Sequence, residues 1–439
     1  MSDENKNDTI GLTRREALKT ASLASIAAAF SATGGVYAAY ASERIRVGLI
    51  GCGGRGTGAA VDCATASPDV EIVALADLFP DMLQSSLAEL NKKLPGRVKA
   101  TPDTCFTGFD AYKKLLATAG VDLVILASPP FFRPIHLAAA IEAGKHVFTE
   151  KPVATDPLGV RSVIATAQKA KEKNLAIVAG TQRRHQAHYV ELMKRIHGGD
   201  LGQIVSGQCY WNMGALWVER AAENWKNKTA KNWSDMEWQV RNWLFTGWAS
   251  GDHIVEQHVH NLDVMNWAMG AHPVKATGMG GRAARVEPQY GNIYDHFAVE
   301  YEYPGGVRVL SMCRQTAGAA ENVSERVVGA NGASYSDSTD ASIKGAKAWD
   351  SGQASPNPYV EEHKDLIASI RAGKPLNEGV QVAESTLTAI MGRMSAYTGR
   401  QLSWDWVMNA SKLDLAPPKM EFTSLPPLEV PVPGKTPLV

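Results

Sequence analysis

Residues 44–50, Arg-Ile-Arg-Val-Gly-Leu-Ile, run straight into Gly51-Cys52-Gly53-Gly54-Arg55-Gly56, and this stretch decides the fold. The apolar, β-branched run predicts a short buried strand, and residues 57–66 are compatible with a helix. Between them the glycines have separate tasks. Gly51 permits the tight turn, Gly53 lets backbone approach a pyrophosphate, and Gly56 lets helix pack on strand. Gly54 and Arg55 complete the loop, and the helix N-terminus beyond it offers N–H groups and positive dipole to phosphate. A lone glycine-rich turn is a weak signal; one framed by a strand and a helix is specific.

A second strand over residues 71–76 ends at Asp77. An acid about 20 residues past the loop meets the ribose hydroxyls and repels a 2′-phosphate, so NAD is expected rather than NADP. The bland alternative is a turn aspartate. Strands at 121–127 and 146–149, with a helix at 134–143 between them, predict a doubly wound parallel sheet of Rossmann type.

The chain has 439 residues, room for two domains, with 45% hydrophobic and 21% charged residues. Lys+Arg and Asp+Glu both number 45, so no surplus charge draws nucleic acid or anionic membrane. Five scattered cysteines (Cys52, Cys63, Cys105, Cys209, Cys313) form no metal-finger spacing and read as small core residues.

Residues 1–41 read as an address. Thr13-Arg14-Arg15-Glu16-Ala17-Leu18-Lys19 precedes an Ala-rich stretch that closes on Ala39-Tyr40-Ala41. Paired arginines, a weak apolar region and an A-x-A exit predict a twin-arginine export signal and a periplasmic protein. A single membrane anchor is the alternative; the Ala-rich run lacks basic residues at its far end. A folded protein exported to a compartment without free dinucleotide must keep its cofactor through turnover.

Directly after the strand at 146–149 stands Glu150-Lys151-Pro152. With the glycine loop and Asp77, this resembles the Gfo/Idh/MocA family of oxidoreductases, over residues 44–411. The resemblance implies a Rossmann domain at 42–155 and a substrate-binding α/β domain at 156–411 with a large, open, mostly antiparallel sheet. In such proteins C-terminal helices return to the Rossmann domain and the large sheet commonly joins subunits, so a homo-oligomer is expected. A Pro-rich tail, 412–439, follows and is expected to be extended, across a neighbouring subunit. The resemblance also places Glu150 and Lys151 against the cofactor.

Lys151 has a physical case of its own. Proline holds it extended at a strand's carboxyl end, where ligands bind in doubly wound sheets. Beside an oxidised nicotinamide, like charge and desolvation lower its pKa, which suits proton transfer at neutral pH. A phosphate or ribose contact is the alternative.

The segment from Gly251 to Asp263 carries Asp252, His253, Glu256, His258 and His260. As one helix, Glu256, His260 and Asp263 share a face at i, i+4, i+7. Family members carry an aspartate, a histidine four on and an aspartate three further; Glu256, His260 and Asp263 match that pattern, with glutamate replacing the first aspartate. The resemblance makes His260 the proton acceptor or donor at the carbinol, and a neighbouring carboxylate suits an imidazole to that task. A buried structural histidine is the alternative. A metal reading of the same segment lacks the HEXXH and HXXEH spacings, and no metal is expected.

On the substrate side, the strand at 175–180 leads to Arg183, Arg184 and Tyr189, any of which can hold substrate hydroxyls or a carboxylate. Seven of 11 tryptophans fall between Trp211 and Trp248, mixed with lysines, which predicts a loop-rich insertion at the pocket mouth. Trp211 and Asn212, after a strand at 205–210, are the best candidates for sugar contacts. The function expected is an NAD-dependent sugar or glycoside oxidoreductase with a tightly held cofactor. NAD-dependent glycoside hydrolysis through a keto-sugar ranks second, and a non-catalytic sugar-binding protein third.

Overall fold

The computed structural model describes residues 44–352 and 356–439; the expected export signal at 1–41 lies outside them. Six strands form the first sheet: β1 (Ile45–Ile50), β2 (Val70–Asp77), β3 (Cys105–Thr107), β4 (Leu123–Leu126), β5 (His146–Thr149) and β6 (Ile177–Ala179). Their order is β3-β2-β1-β4-β5-β6, all parallel. The order reverses between β1 and β4, which opens a crevice at their carboxyl ends. β4 is apolar throughout and β5 carries Val147 and Phe148 at its centre, and both are almost wholly buried, as expected of parallel strands covered on both faces. The boundary expected at residue 155 is corrected here, because β6 completes this sheet by pairing with β5.

The second sheet has nine strands: β7 (Ile204–Met213), β8 (Lys275–Gly281), β9 (His296–Glu302), β10 (Arg308–Gln315), β11 (Asn322–Gly329), β12 (Gly332–Ser336), β13 (Ala341–Gly345), β14 (Trp349–Asp350) and β15 (Leu402–Ser403). Only β7 and β10 pair in parallel; the other neighbours are antiparallel. Helices Val259–Met269 and Gly379–Thr398 pack on one face. There Gly278 and Gly392 leave room for strand and helix to meet, since a Cβ on Gly392 would overlap Tyr301 Oη. Alternation sends Met279, Leu310, Met312 and Tyr335 to the other face, which is open.

Helix Pro358–Arg371 returns to the glycine-loop helix Gly54–Ala66, and Arg371 pairs with Asp69 at 2.9 Å. The tryptophan-rich insertion is helical rather than loop-rich. Val218–Ala230 buries Ala221 and Asn224, exposes Lys226 and packs Lys228 over Trp238, while Ser234 caps Asp235–Arg241 through Glu237 N–H. The tail is extended but lies on its own chain: Leu415 N–H donates to Asp156, Met236 N–H to Thr423 O, and Gly434 N–H to Thr398 O. Its proline-rich backbone thereby caps donors and acceptors of neighbouring elements. Among the described residues no helix is long and apolar enough to cross a membrane.

Candidate active site

The floor of the site is the first βα turn. Gly51 has φ +97°, and a Cβ there would overlap the backbone of Ala127 and Ser128; a Cβ on Gly56 would overlap Gly51 O. Gly53 and Gly54 face open space, with Met82 Cε 3.9 Å from a Cβ position on Gly53 and nothing near Gly54. The helix starting at Gly54 has no side-chain cap, so its first N–H groups remain available to an anion. This cradle fits a pyrophosphate.

Asp77 closes the floor. Its carboxylate accepts from Cys52 N–H at 2.7 Å and Phe79 N–H at 2.8 Å, which points it across the crevice. Burial raises its pKa, and those two N–H groups oppose the rise. A cavity of about 860 Å³ spreads above, lined by Gly53, Arg55, Asp77, Ser128, Trp217 and Trp243 among others. That volume falls within the range of small-molecule sites.

Arg55 lines the cavity but is held by acids at its margin. Its Nε donates to Glu150 at 2.6 Å, Nη2 pairs with Asp62 at 3.2 Å, and the guanidinium lies 4.9 Å over Tyr359. Glu150 thus holds the glycine loop rather than projecting into the cavity, and Gly180 makes space for it, since a Cβ there would lie 2.6 Å from Glu150 Oε2. Arg133, buried, donates to the carbonyls of Pro152 and Ser128 at 2.5 and 3.1 Å. It ties the corner after β5 to the end of β4.

Lys151 follows Glu150, and its Nζ donates to Glu256 O at 2.6 Å, joining the two domains across the site. Burial draws the Lys151 pKa down, against the pull of Glu256 and Glu150. Glu256 moves the opposite way: burial raises it, and its Oε1 is buried with no hydrogen-bond partner.

The histidine-rich segment is not one helix. Both Gln257 N–H and His258 N–H return to His253 O, which widens the turn and separates His253–Glu256 from Val259–Met269. The inserted residue shifts the phase, so Glu256 and His260 do not share a face as expected. Asp263 is also engaged elsewhere: Arg184 donates to it at 2.8 and 3.0 Å, and Ser385 Oγ at 2.7 Å. His260 therefore has no carboxylate partner among the described residues. Burial depresses its pKa well below the usual value, and the cations Lys151 and Arg183 add to that. The imidazole is neutral, with Nδ1 unpartnered.

Of the substrate-side candidates, Trp211 stands beside His260, ring centroids 5.8 Å apart at 24°. Arg183 lies 5.7 Å over the Trp211 ring but is buried and paired with Glu325. Tyr189 is fully buried, and its hydroxyl donates to Glu325 at 2.8 Å. Asn261 and Ser336 donate to the same carboxylate, at 2.6 and 2.9 Å. Arg183 and Tyr189 therefore back the site without lining it. Asn212, next to Trp211 on β7, projects from the opposite face of the sheet by strand alternation, away from His260. His253, Glu256 and His258 do not converge; His253 pairs with Asp252 and His258 with Ser311, and among the described residues no three ligand-type side chains form a metal group.

Two contributors escaped the reading from sequence. Arg133 stands just before the helix expected at 134–143 and carried no signal. Asp252, buried at φ +70°, accepts from Tyr294 N–H and Tyr397 Oη at 2.7 and 2.5 Å and fixes the entry to the histidine segment. The Gly251-Asp252 pair was its only sequence signal.

A dinucleotide cradle at a switch point, met by a lysine from one domain and an imidazole from the other, defines a Rossmann-based oxidoreductase fold. Residues 45–180 match the family model described as oxidoreductase family, NAD-binding Rossmann fold, and residues 193–377 that described as oxidoreductase family, C-terminal alpha/beta domain. The two matches together span most of the chain, and it belongs to the Gfo/Idh/MocA oxidoreductases. Inositol 2-dehydrogenase 3 of Saccharopolyspora erythraea is 33% identical over 165 residues, 38% of this chain and 44% of that protein. A glycosyl hydrolase family 109 protein of Solibacter usitatus is 34% identical over 148 residues, 32% of this chain and 33% of the relative. The chain matches less than half the length of its first curated relatives. Aldose-aldose oxidoreductase from Caulobacter crescentus shares the fold, with a TM-score of 0.63 and 17% identity, covering 82% of this chain and 100% of that one.

Proposed function

We propose that the protein oxidises a hydroxyl of a sugar or glycoside, using NAD held in the first domain. The observation that carries this is the meeting of Lys151 with the histidine segment, with Lys151 and His260 both within electrostatic reach of the cavity-lining Arg55. When bound, the nicotinamide supplies a hydride acceptor for the carbinol hydrogen. The hydroxyl proton goes to a neutral base, and two are at hand. Lys151 has its amine drawn toward the neutral form by burial, and burial with the neighbouring cations keeps the His260 imidazole neutral. Loss of one hydride and one proton leaves a carbonyl. Trp211 offers an apolar ring to a sugar's C–H face beside His260. The relatives named as inositol dehydrogenase and aldose-aldose oxidoreductase support the substrate class.

NAD is preferred to NADP because Asp77 points into the cleft where a 2′-phosphate would lie. The paired arginines at Arg14-Arg15 support twin-arginine export to the periplasm, and the open face of the large sheet supports a homo-oligomer. A second reading, NAD-dependent glycoside hydrolysis, draws support from the glycosyl hydrolase family 109 relative. The test is incubation of purified protein with free sugars and glycosides, with and without NAD, following reduced nicotinamide and products. An oxidised sugar with NADH supports oxidation; cleavage without net redox change supports hydrolysis. Neither product from any substrate overturns both.

A further inference from the structure

Residues 214–243 form a second wall opposite the glycine loop. Helix Val218–Ala230 places Arg220, Asn224 and Asn227 along one face, and all three line the cavity whose floor carries Gly53 and Asp77. Trp217 opens this wall and Trp243 closes it, meeting edge to face at 5.7 Å, while Arg220 rests 5.1 Å over the Trp217 ring. Trp217 has φ +53°, a left-handed conformation a bulky residue adopts only where its surroundings hold it.

The wall is pinned to the Rossmann domain immediately beyond Asp77. Arg241 donates to both oxygens of Asp81 at 2.9 and 3.1 Å, and its guanidinium covers Phe79 at 3.8 Å. From outside, the tail completes the clasp: Phe422 meets Phe79 and Phe109 at 5.9 and 5.2 Å, and Leu425 N–H donates to Asp235. These ties converge on the ribose-and-adenine end of the crevice that Asp77 marks.

We propose that this wall is the second half of the dinucleotide site, enclosing the adenosine end so that the cofactor is resident through turnover rather than exchanged with each cycle. The inference rests on the oxidoreductase reading above. Trp217 and Trp243 present aromatic surface to a purine, and Arg220, with Glu219 and Glu223 on the same helix, gives the wall hydrogen-bonding groups for the adenosine. Departure of the dinucleotide requires Arg241 to part from Asp81 and Phe422 to lift from Phe79. An open crevice imposes neither step.

The test uses full-length protein loaded with 1,N6-etheno-NAD, whose fluorescent base reports the adenosine end directly. Release is followed after a chase with excess NAD, with circular dichroism and thermal unfolding as checks of the fold. Wild type is expected to hold the nucleotide through desalting. The Trp217→Ala/Arg220→Ala double variant is expected to release it about tenfold faster or more. Trp225→Ala, outside the cavity on the same helix, is expected to match wild type. Should the double variant unfold, Phe422→Ala, on the partly exposed tail, decides alone by the same acceleration. A release rate within about twofold of wild type in the folded variant overturns the wall's role, as does a wild type that binds the nucleotide but loses it on desalting. A wild type that binds no nicotinamide dinucleotide at all overturns the oxidoreductase reading instead.

Discussion

The two walls of the dinucleotide crevice are built by opposite means. The floor works through atoms that are missing: Gly51 and Gly56 have no Cβ where one would overlap the backbone, and Gly53 and Gly54 leave space. The opposite wall works through bulk, with Trp217, Trp243, Arg220 and Arg241 packed ring on ring and guanidinium on ring. A backbone cradle tolerates almost no substitution, because added atoms collide with backbone that cannot move aside. A wall of side chains tolerates single losses, because each contact contributes a fraction. The floor should therefore break all at once and the wall by degrees.

The largest expected effect is at the floor. Gly56→Val is predicted to abolish dinucleotide uptake and to destabilise the protein by about 1–3 kcal/mol from overpacking, read by isothermal titration and thermal unfolding. Next comes the corner after β5. Lys151→Ala is predicted to lower turnover by about 10²–10⁴-fold while dinucleotide binding persists; unchanged turnover would remove Lys151 from the chemistry. The same residue sets a pH dependence. Oxidation needs the neutral amine, and burial lowers the Lys151 pKa, so the rate should rise with pH and level off below the ordinary lysine value of about 10.4. In Lys151→Arg that rise should disappear from the kcat profile, since the guanidinium stays charged.

Smaller effects belong to the wall. Arg241→Ala is predicted to cost about 1 kcal/mol of stability, because its partner Asp81 is exposed and the ion pair is screened, leaving the contact with Phe79 as the main loss. A loss several times larger in thermal unfolding would show that the wall is integral to the core. Smallest is the change of cofactor choice. Asp77→Ser should relax the preference for NAD over NADP, measured as a ratio of affinities, since the crevice keeps its shape while losing the repelling carboxylate.

The floor was legible in the sequence because its determinants are adjacent. The glycines at 51, 53 and 56 sit within one turn, and strand β1 with its helix follows from local pattern alone. Lys151 was legible for the same reason, as part of a three-residue corner after β5. The histidine segment misled. Its spacing implies one helix face, yet the shared carbonyl of His253 inserts an extra residue and turns Glu256 away from His260. Asp263 carries an acid at the expected place, but Arg184 and Ser385, distant in sequence, engage it. Tyr189 and Arg183 looked like pocket residues until Glu325, from another strand, drew both into the interior.

Sequence by itself determined the Rossmann domain, its phosphate-binding turn, the acid that ends β2 and the lysine after β5, because each depends on backbone conformation set by neighbours along the chain. Only the tertiary structure decided that no carboxylate among the described residues partners His260, which face of β7 meets the site, and that the tryptophan segment lines the crevice. Those outcomes depend on contacts between residues far apart in the chain, where burial and competition among partners, rather than spacing, select the pairing.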